Sequence, residues 1–478
     1  MIPFSLVDSN LNFPQSAAQR TINWYAESIG KKQVVLRRTP GLKLFGVITG
    51  LNGGRGVYTM ISDKERQFAV RGNKFMEWNT ATSAYVSRGT LLTLQGLCQF
   101  TNNTTQVMIV DGTYGYGYDV NTTEFRRLDV VGGSVVNPWP GVTGQSGAIY
   151  SALRCLSFEP GTGRFWCSNQ DDVFNWSGTA GAEAESFPDP IVGIASLGQI
   201  IFLLGSNSYE VWIDQGFQDF PYRRVQAGSN IGCSATSSIV TFGGSVYWLG
   251  GSAEGKGIVY KSSGYQALPI SDTRTDEIIS EISDISDATG FIYQEQGHVF
   301  YRLSFGVGDL TLAYDITTDL WAQCEYRNPV SGLASRRPEI AQCVYQGKNL
   351  VQDFRNGNVY EMSRKFYTDD GAKVIHTKVF ETWPVEQERR VDVPPFSVMM
   401  DQGNTPEGSE SPKAMLSISD DRGKTYGKEM YKDLGQIGQY NRRIVWYNQG
   451  STYGRNYRLT MTGNQDFVIR GAALLDGI

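Results

Sequence analysis

Histidine is nearly missing from this chain of 478 residues, which has only His298 and His376. Two imidazoles leave little from which to build a Ser-His-Asp triad or a histidine-rich metal centre. His298, just after the turn in "EQGHVFYRLSF", reads as a strand residue. The six cysteines, Cys98, Cys155, Cys167, Cys233, Cys324 and Cys343, include no C-x-x-C pair and no dense spacing. They read as small hydrophobes in a reducing compartment, not as a disulfide framework. A basic excess is missing too. With 43 Lys and Arg against 48 Asp and Glu the net charge is -5, which excludes bulk electrostatic capture of nucleic acid and leaves room only for a local basic rail.

Long apolar runs are equally scarce. "IVGIASLGQIIFLLG", Ile191 to Gly205, is broken by Gly193, Gly198 and Gln199 and falls short of the ~20 residues that span a bilayer. It reads as two core strands, and no membrane contact is expected. The opening "MIPFSLVDSN" lacks a charged segment followed by an apolar one, so the expectation is a soluble protein made in a cytoplasm without a cleaved signal. Helical periodicity is confined to "TRTDEIISEISDISDATGFIY", where Ile278, Ile279, Ile282 and Ile285 fall at helical spacing. We read a helix inserted for packing.

What is abundant is glycine, at 54 residues, and aromatic side chains, at 12%. Both fit a turn-rich all-β protein. From about residue 46 to 365 a turn followed by a short strand ending in an aromatic recurs, at Trp78, Tyr118, Trp176, Trp212, Tyr260, Tyr314 and Tyr360. Their separations of 40, 58, 36, 48, 54 and 46 residues average close to the ~40–50 residues of a propeller blade. Seven units predict a seven-bladed β-propeller. Strands such as "QVMIVDG", "QIIFLLG" and "SVYWLGG" are apolar on both faces, as inner strands covered by neighbouring blades must be. Several β-sandwiches with similarly spaced turns are the alternative. After residue 365 come "VEQERRVDVPPF" and the polar loop Asp401 to Ala414, then strands of period 2 such as "MLSIS" and "NYRLTMTG". The expected organisation is residues 1–45 as N-terminal strands joining a C-terminal sandwich, 46–365 as the propeller and 366–478 as the β-sandwich.

Signals for chemistry are thin. No serine sits in a G-x-S-x-G elbow. "GGSAEGKG", Gly250 to Gly257, nearly matches a phosphate loop but places Gly257 where the hydroxyl belongs, ahead of a strand-like "IVYKSSGY". It reads as a hairpin turn. The adjacent carboxylates Asp171-Asp172, Asp369-Asp370 and Asp420-Asp421 sit in turns and do not imply a pair facing each other across a sugar. No catalytic residue, metal or cofactor is assigned. Arginine pairs recur at Arg126-Arg127, Arg223-Arg224, Arg336-Arg337, Arg389-Arg390 and Arg442-Arg443. Each can be a solvated ladder with nearby carboxylates or a row of sequence-independent phosphate contacts along a DNA channel. All but the third pair are taken as candidate duct contacts.

"SISDDRGKTYG", Ser417 to Gly427, has the form of an Asp-box: Ser419, Asp421, Gly423, Thr425 and Tyr426. Asp-boxes mark hairpin turns in sialidases and other propeller glycosidases. Those enzymes carry several copies with an arginine triad, whereas this chain has one copy outside the repeats, so it reads as structural. A propeller glycosidase or depolymerase, or a glycan-binding propeller stacking sugars on Tyr114, Tyr116 and Tyr118, is the alternative function.

Three stretches resemble the packaged-DNA stabilisation proteins, or tail hub (nozzle) proteins, of short-tailed bacteriophages. They are "NFPQSAAQRTINWYAESIGKKQVVLRRTPGL" with Asn23, Tyr25, Glu27 and Thr39-Pro40-Gly41, then "GHVFYRLSF" with "TLAYDITTDLW", then the C-terminal "LSISDDRGKTYGKE" with "NRRIVWYNQGSTYGRNYRLTMTG". The resemblance implies a structural virion protein made in the host cytoplasm, six copies of which form a ring below the portal and adaptor. It further implies retention of packaged double-stranded DNA, a duct for ejection, and attachment of a needle or plug and of tailspikes or fibres. It carries no catalytic residues.

Overall fold

The computed structural model describes residues 2–8, 19–29, 33–131, 134–135, 144–184, 187–217, 220–227, 230–251, 256–383, 389–401, 412–435, 439, 443–466 and 468–475. Strands make up 57% of it and helix 3%, so the fold is all-β.

Seven antiparallel sheets follow one another between residues 54 and 363, starting at Gly54–Ile61, Gln99–Asn102, Ser146–Ser151, Ile191–Leu197, Gly232–Cys233, Thr289–Glu295 and Glu339–Tyr345. Their leading strands lie against those of the neighbouring sheets, with Val240–Phe242 taking that place in the fifth, and the seventh closes onto the first. This is a seven-bladed propeller. The strands Gln106–Val110, Ile200–Gly205 and Ser245–Gly251 are buried at nearly every residue, on both faces. Six of the seven recurring aromatics stand on the third strand of their blade; Trp176 instead opens the outer strand Trp176–Glu183 of the third blade. Trp166, on Arg164–Ser168, holds the equivalent third-strand place. Counted through Trp166 the irregular 58 and 36 become 48 and 46 residues.

The last blade is closed from the other end of the sequence. Gly41–Gly46 is its fourth strand, antiparallel to Val359–Ser363 with Leu42 opposite Met362 and Leu44 opposite Tyr360, and the short strands Thr368–Asp369 and Ala372–Lys373 follow beyond it. A boundary at residue 45 therefore runs through a propeller strand.

Most of the remaining strands make two sheets packed face to face. One runs Trp24–Ile29, Gln33–Arg38, Val468–Leu474, Phe396–Met400, Ile444–Trp446, with Ile2–Phe4 also paired to Val468–Leu474. The other is continuous with the sixth blade: Leu320–Cys324 is followed by Arg20–Ile22, running parallel to it, then His376–Val379, Asn456–Thr462, Lys413–Ser419 and Met430–Asp433. Between them lies a core including Phe4, Trp24, Leu36, Phe396, Tyr457, Leu459 and Leu474, where the Phe396 and Tyr457 rings stack 4.4 Å apart. Strand Asn456–Thr462 alternates buried and half-buried residues as a sheet with one covered face should.

The predicted helix is shorter than its isoleucine pattern. Helix Thr273–Ser280 begins with Asp272 accepting from the Thr275 N–H at 2.7 Å, a side-chain cap. It ends before Ile282. Ile279, Ile282 and Ile285 nonetheless pack into one core between the fifth and sixth blades, the last two from the turns that follow.

Candidate nucleic-acid interface and the propeller–sandwich seam

Most side chains singled out in the sequence now have a place. His298 is buried and its Nδ1–H donates to Asp315 Oδ2 at 2.7 Å. His376 is buried 4.9 Å from the Trp24 ring and donates from Nδ1 to the Asn23 carbonyl at 2.8 Å. Burial holds its pKa down at about 4, so the imidazole is a neutral structural donor at physiological pH. All six cysteines are buried thiols; burial pushes Cys98 up to about 12 and Cys167 to about 11, outside the range of a reactive thiolate. Among the described residues no His, Cys, Asp and Glu group has the makings of a metal site, and no helix is long and apolar enough to cross a membrane.

The paired carboxylates separate into unrelated roles. Asp172 caps a turn by accepting from the Phe174 N–H at 2.9 Å. Asp369 is buried against Arg337. Asp420 is bound by Arg455 at 2.7 Å and by Thr452 at 2.9 Å, while Asp421 turns to its own hairpin. There Ser419 Oγ donates to Asp421 Oδ1 at 2.6 Å and accepts from the Gly423 N–H at 2.8 Å. The Thr425 N–H and hydroxyl both donate to Asp421, at 2.9 and 2.6 Å. Gly423 has φ +83°, a conformation in which a side chain is strained. The motif is a self-contained turn whose acid is consumed by its own backbone. Tyr116 and Tyr118 are fully buried in the core between the first two blades, so neither ring is available to a sugar. The near phosphate loop falls between the paired strands Ser245–Gly251 and Lys256–Ser263, a hairpin; residues 252–255 lie outside those described.

The arginine pairs occupy separate places in the fold. Arg126 and Arg127 are on the outer strand of the second blade, where Arg126 meets Glu124 at 3.0 Å and Arg127 donates to Asp129 at 2.8 Å. Arg126 also covers the Phe174 ring at 4.6 Å and Arg127 the Tyr114 ring at 4.5 Å. Arg223 and Arg224 are exposed on the outer strand of the fourth blade, Arg223 over Phe217 at 4.7 Å and Arg224 3.7 Å from Glu210. Arg389, Arg390 and Arg443 are exposed in the sandwich, and Arg442 lies outside the described residues. The first two pairs stand on different blades, where alternation along a strand sends adjacent arginines to opposite faces.

What sequence reasoning missed is a polar seam joining propeller to sandwich. Asn23, at φ +59°, bridges the two through its side-chain amide, which donates to the Ile375 carbonyl at 2.8 Å. Asp466 of the sandwich accepts from Arg38 at 2.9 Å and from Arg364, just past the last blade, at 3.0 Å. Lys378, fully buried, reaches Asp8 at 2.6 Å, and Asp8 also meets Arg274 of the helix at 3.0 Å. Beneath these, Arg337 binds Glu339 at 2.8 Å and Asp369 at 2.5 Å, with Arg302 3.2 Å from Glu339. Arg337, singled out only as half of a pair, is buried and neutralised. In the sequence Asn23 stands out only as part of the opening stretch that carries the family resemblance.

The comparisons with known proteins fit this two-part architecture. Residues 18–367 match the family model described as bacteriophage P22 Gp10, beta-propeller, and residues 378–474 match bacteriophage P22 Gp10, beta-sandwich. The chain belongs to the bacteriophage P22 Gp10 family. Membership in the Gp10 family supports a role at the phage tail hub and in stabilising packaged DNA, and implies a virion component. No curated protein matches the chain. Among solved structures, it is similar to the extracellular domain of the one-component system BT4673 from B. thetaiotaomicron, at 8% identity and a TM-score of 0.43, covering 84% of this chain and 49% of that one. The present chain thus spans about half of that protein's length. It is also similar to virginiamycin B lyase from Staphylococcus aureus, at 9% identity and a TM-score of 0.43 over 68% of this chain and 99% of that one. A third likeness is the N-terminal domain of Nup159, at 10% identity and a TM-score of 0.40 over 72% and 99%.

Proposed function

We propose that this chain is a non-enzymatic structural component of a short phage tail, assembling as a six-membered ring below the portal and adaptor. In this reading the ring retains the packaged genome, forms the duct through which DNA leaves, and carries attachment sites for a needle or plug and for tailspikes or fibres. The observation that supports it is the match to both Gp10 family models, in order, over residues 18–367 and 378–474. The seam adds a physical reason: an ion-paired joint between propeller and sandwich suits a subunit that must transmit force without hinging. A net charge of -5 suits a wall past which a polyanion slides without sticking. The arginine pairs are the candidate phosphate contacts, and exposed Arg223, Arg389 and Arg443 are the members to replace first.

Negative-stain electron microscopy of the purified chain, alone and with a portal–adaptor assembly, tests the proposal. Six-fold rings with an open axis are expected. Monomers under both conditions, or turnover of host surface polysaccharide by the purified chain, would overturn it.

A further inference from the structure

The Asp-box turn and the second sandwich sheet together enclose a cleft of about 640 Å3. Its floor is the sheet face turned away from the sandwich core, and the strand register orders it in rows. Arg20 stands opposite Val379, which stands opposite Arg458. In the next row Ile22 faces Thr377, then Thr460, then Met415. The chain leaving the sixth blade forms one wall with Glu325 and Arg327. The other wall is the turn itself, with Arg422, Lys424 and Tyr426, and Glu429 beyond it.

Five cations line this space against two carboxylates, an excess of three positive charges on a chain whose net charge is -5. Arg458 lies 4.0 Å over the Tyr426 ring, its Nη2 is 3.4 Å from Ser417 Oγ, and its buried Nε has no hydrogen-bond partner. Among the described residues neither Arg20 nor Arg458 has a carboxylate within ion-pair distance. Arg458, half-buried and without an ion-pair partner among the described residues, is a standing free-energy cost that an incoming anion relieves, while Arg20 is exposed and acts electrostatically on Glu325.

We propose that this cleft binds an acidic peptide segment of a partner protein. A carboxylate on a flexible chain can enter a walled pocket and meet Arg20 and Arg458 singly, with apolar neighbours resting on Ile22, Val379 and Met415 between them. A polyphosphate backbone fits worse, because Glu325 and Glu429 interrupt the positive surface and a rigid duplex follows an open groove. The inference does not depend on ring formation, and the isolated chain suffices to test it.

The experiment is fluorescence anisotropy on the full chain with a labelled octapeptide alternating glutamate and leucine. Its glutamine counterpart is the control, and a short DNA duplex and inorganic phosphate are the competitors. Expected are binding of the glutamate peptide alone, weakening by roughly tenfold in Arg458→Gln, and weakening by roughly threefold in Lys424→Glu. Lys424 is exposed on the turn, so its variant tests the site even where Arg458→Gln fails to fold. Equal binding of the glutamine peptide, no binding, unchanged affinity in the Lys424 variant, or displacement by duplex or phosphate would each overturn the proposal.

Discussion

The side chain of Asn23 donates to the carbonyl of Glu325 at 3.0 Å and accepts from the Glu325 N–H at 2.9 Å. Two residues 302 apart in sequence thus grip each other as paired strands do, and the same amide also holds Ile375. Asn23→Ala removes all three bonds and strains a backbone at φ +59°; Asn23→Gly removes the bonds without the strain. The expected losses are about 3–4 kcal/mol for alanine and about 1 kcal/mol less for glycine, read from urea unfolding midpoints.

Gly41 opens the strand that closes the propeller. A Cβ there would lie 2.6 Å from the Thr368 carbonyl oxygen and 2.7 Å from that of Phe366, so backbone must move. Gly41→Ala should cost about 1–3 kcal/mol, as overpacking does, and should speed hydrogen exchange along Val359–Ser363 more than in the second or third blade.

Burial of Glu339 would raise its pKa, but Arg337 and Arg302 outweigh that and hold it at about 2. Glu339→Gln leaves two guanidiniums in the interior with Asp369 alone beside them, and should cost about 3–5 kcal/mol. The apolar double replacement Arg302→Met with Glu339→Leu should recover a large part of that loss, measured by the same unfolding curves.

Acid should loosen the seam through His376. The unfolded chain takes a proton near 6.5 and the folded chain near 4, so between those values the unfolded state holds more protons and stability rises with pH. Lowering the pH from 7 to 4 should remove up to about 3 kcal/mol through this residue. His376→Gln should flatten that stretch of the stability profile, while the further loss from about pH 4.5 to 2, carried by Glu339, persists.

The propeller was legible because its signal is local. A turn and an aromatic on the third strand recur blade after blade, and the spacing misled only where Trp176 was counted in place of Trp166. The closing strand was not legible, since nothing local in "GLKLFG" says that its partner lies at Val359–Ser363. The Asp-box read correctly as a turn because Ser419, Asp421 and Gly423 satisfy one another within five residues. Its role as a wall of the cleft depends on Arg20 and Arg327, which only the tertiary fold brings near. The arginine pairs show the limit of adjacency as a signal: Arg336-Arg337 looked like the others, yet Arg337 lies in the interior and Arg336 covers the Phe354 ring at 4.0 Å.

The pairing of Leu36 with Ile469 sets a schedule for synthesis. At roughly 5–20 residues per second, a ribosome makes the first of these strands on the order of half a minute or more before the second. Gly41–Gly46 waits nearly as long for Val359–Ser363. Blades one to six can order themselves as they emerge, while the propeller seam stays open until Val359–Ser363 has been made and the sandwich seam until Val468–Leu474 has. The early strands leave hydrogen-bonding edges bare for that interval, which makes the nascent chain a natural client for a holding chaperone.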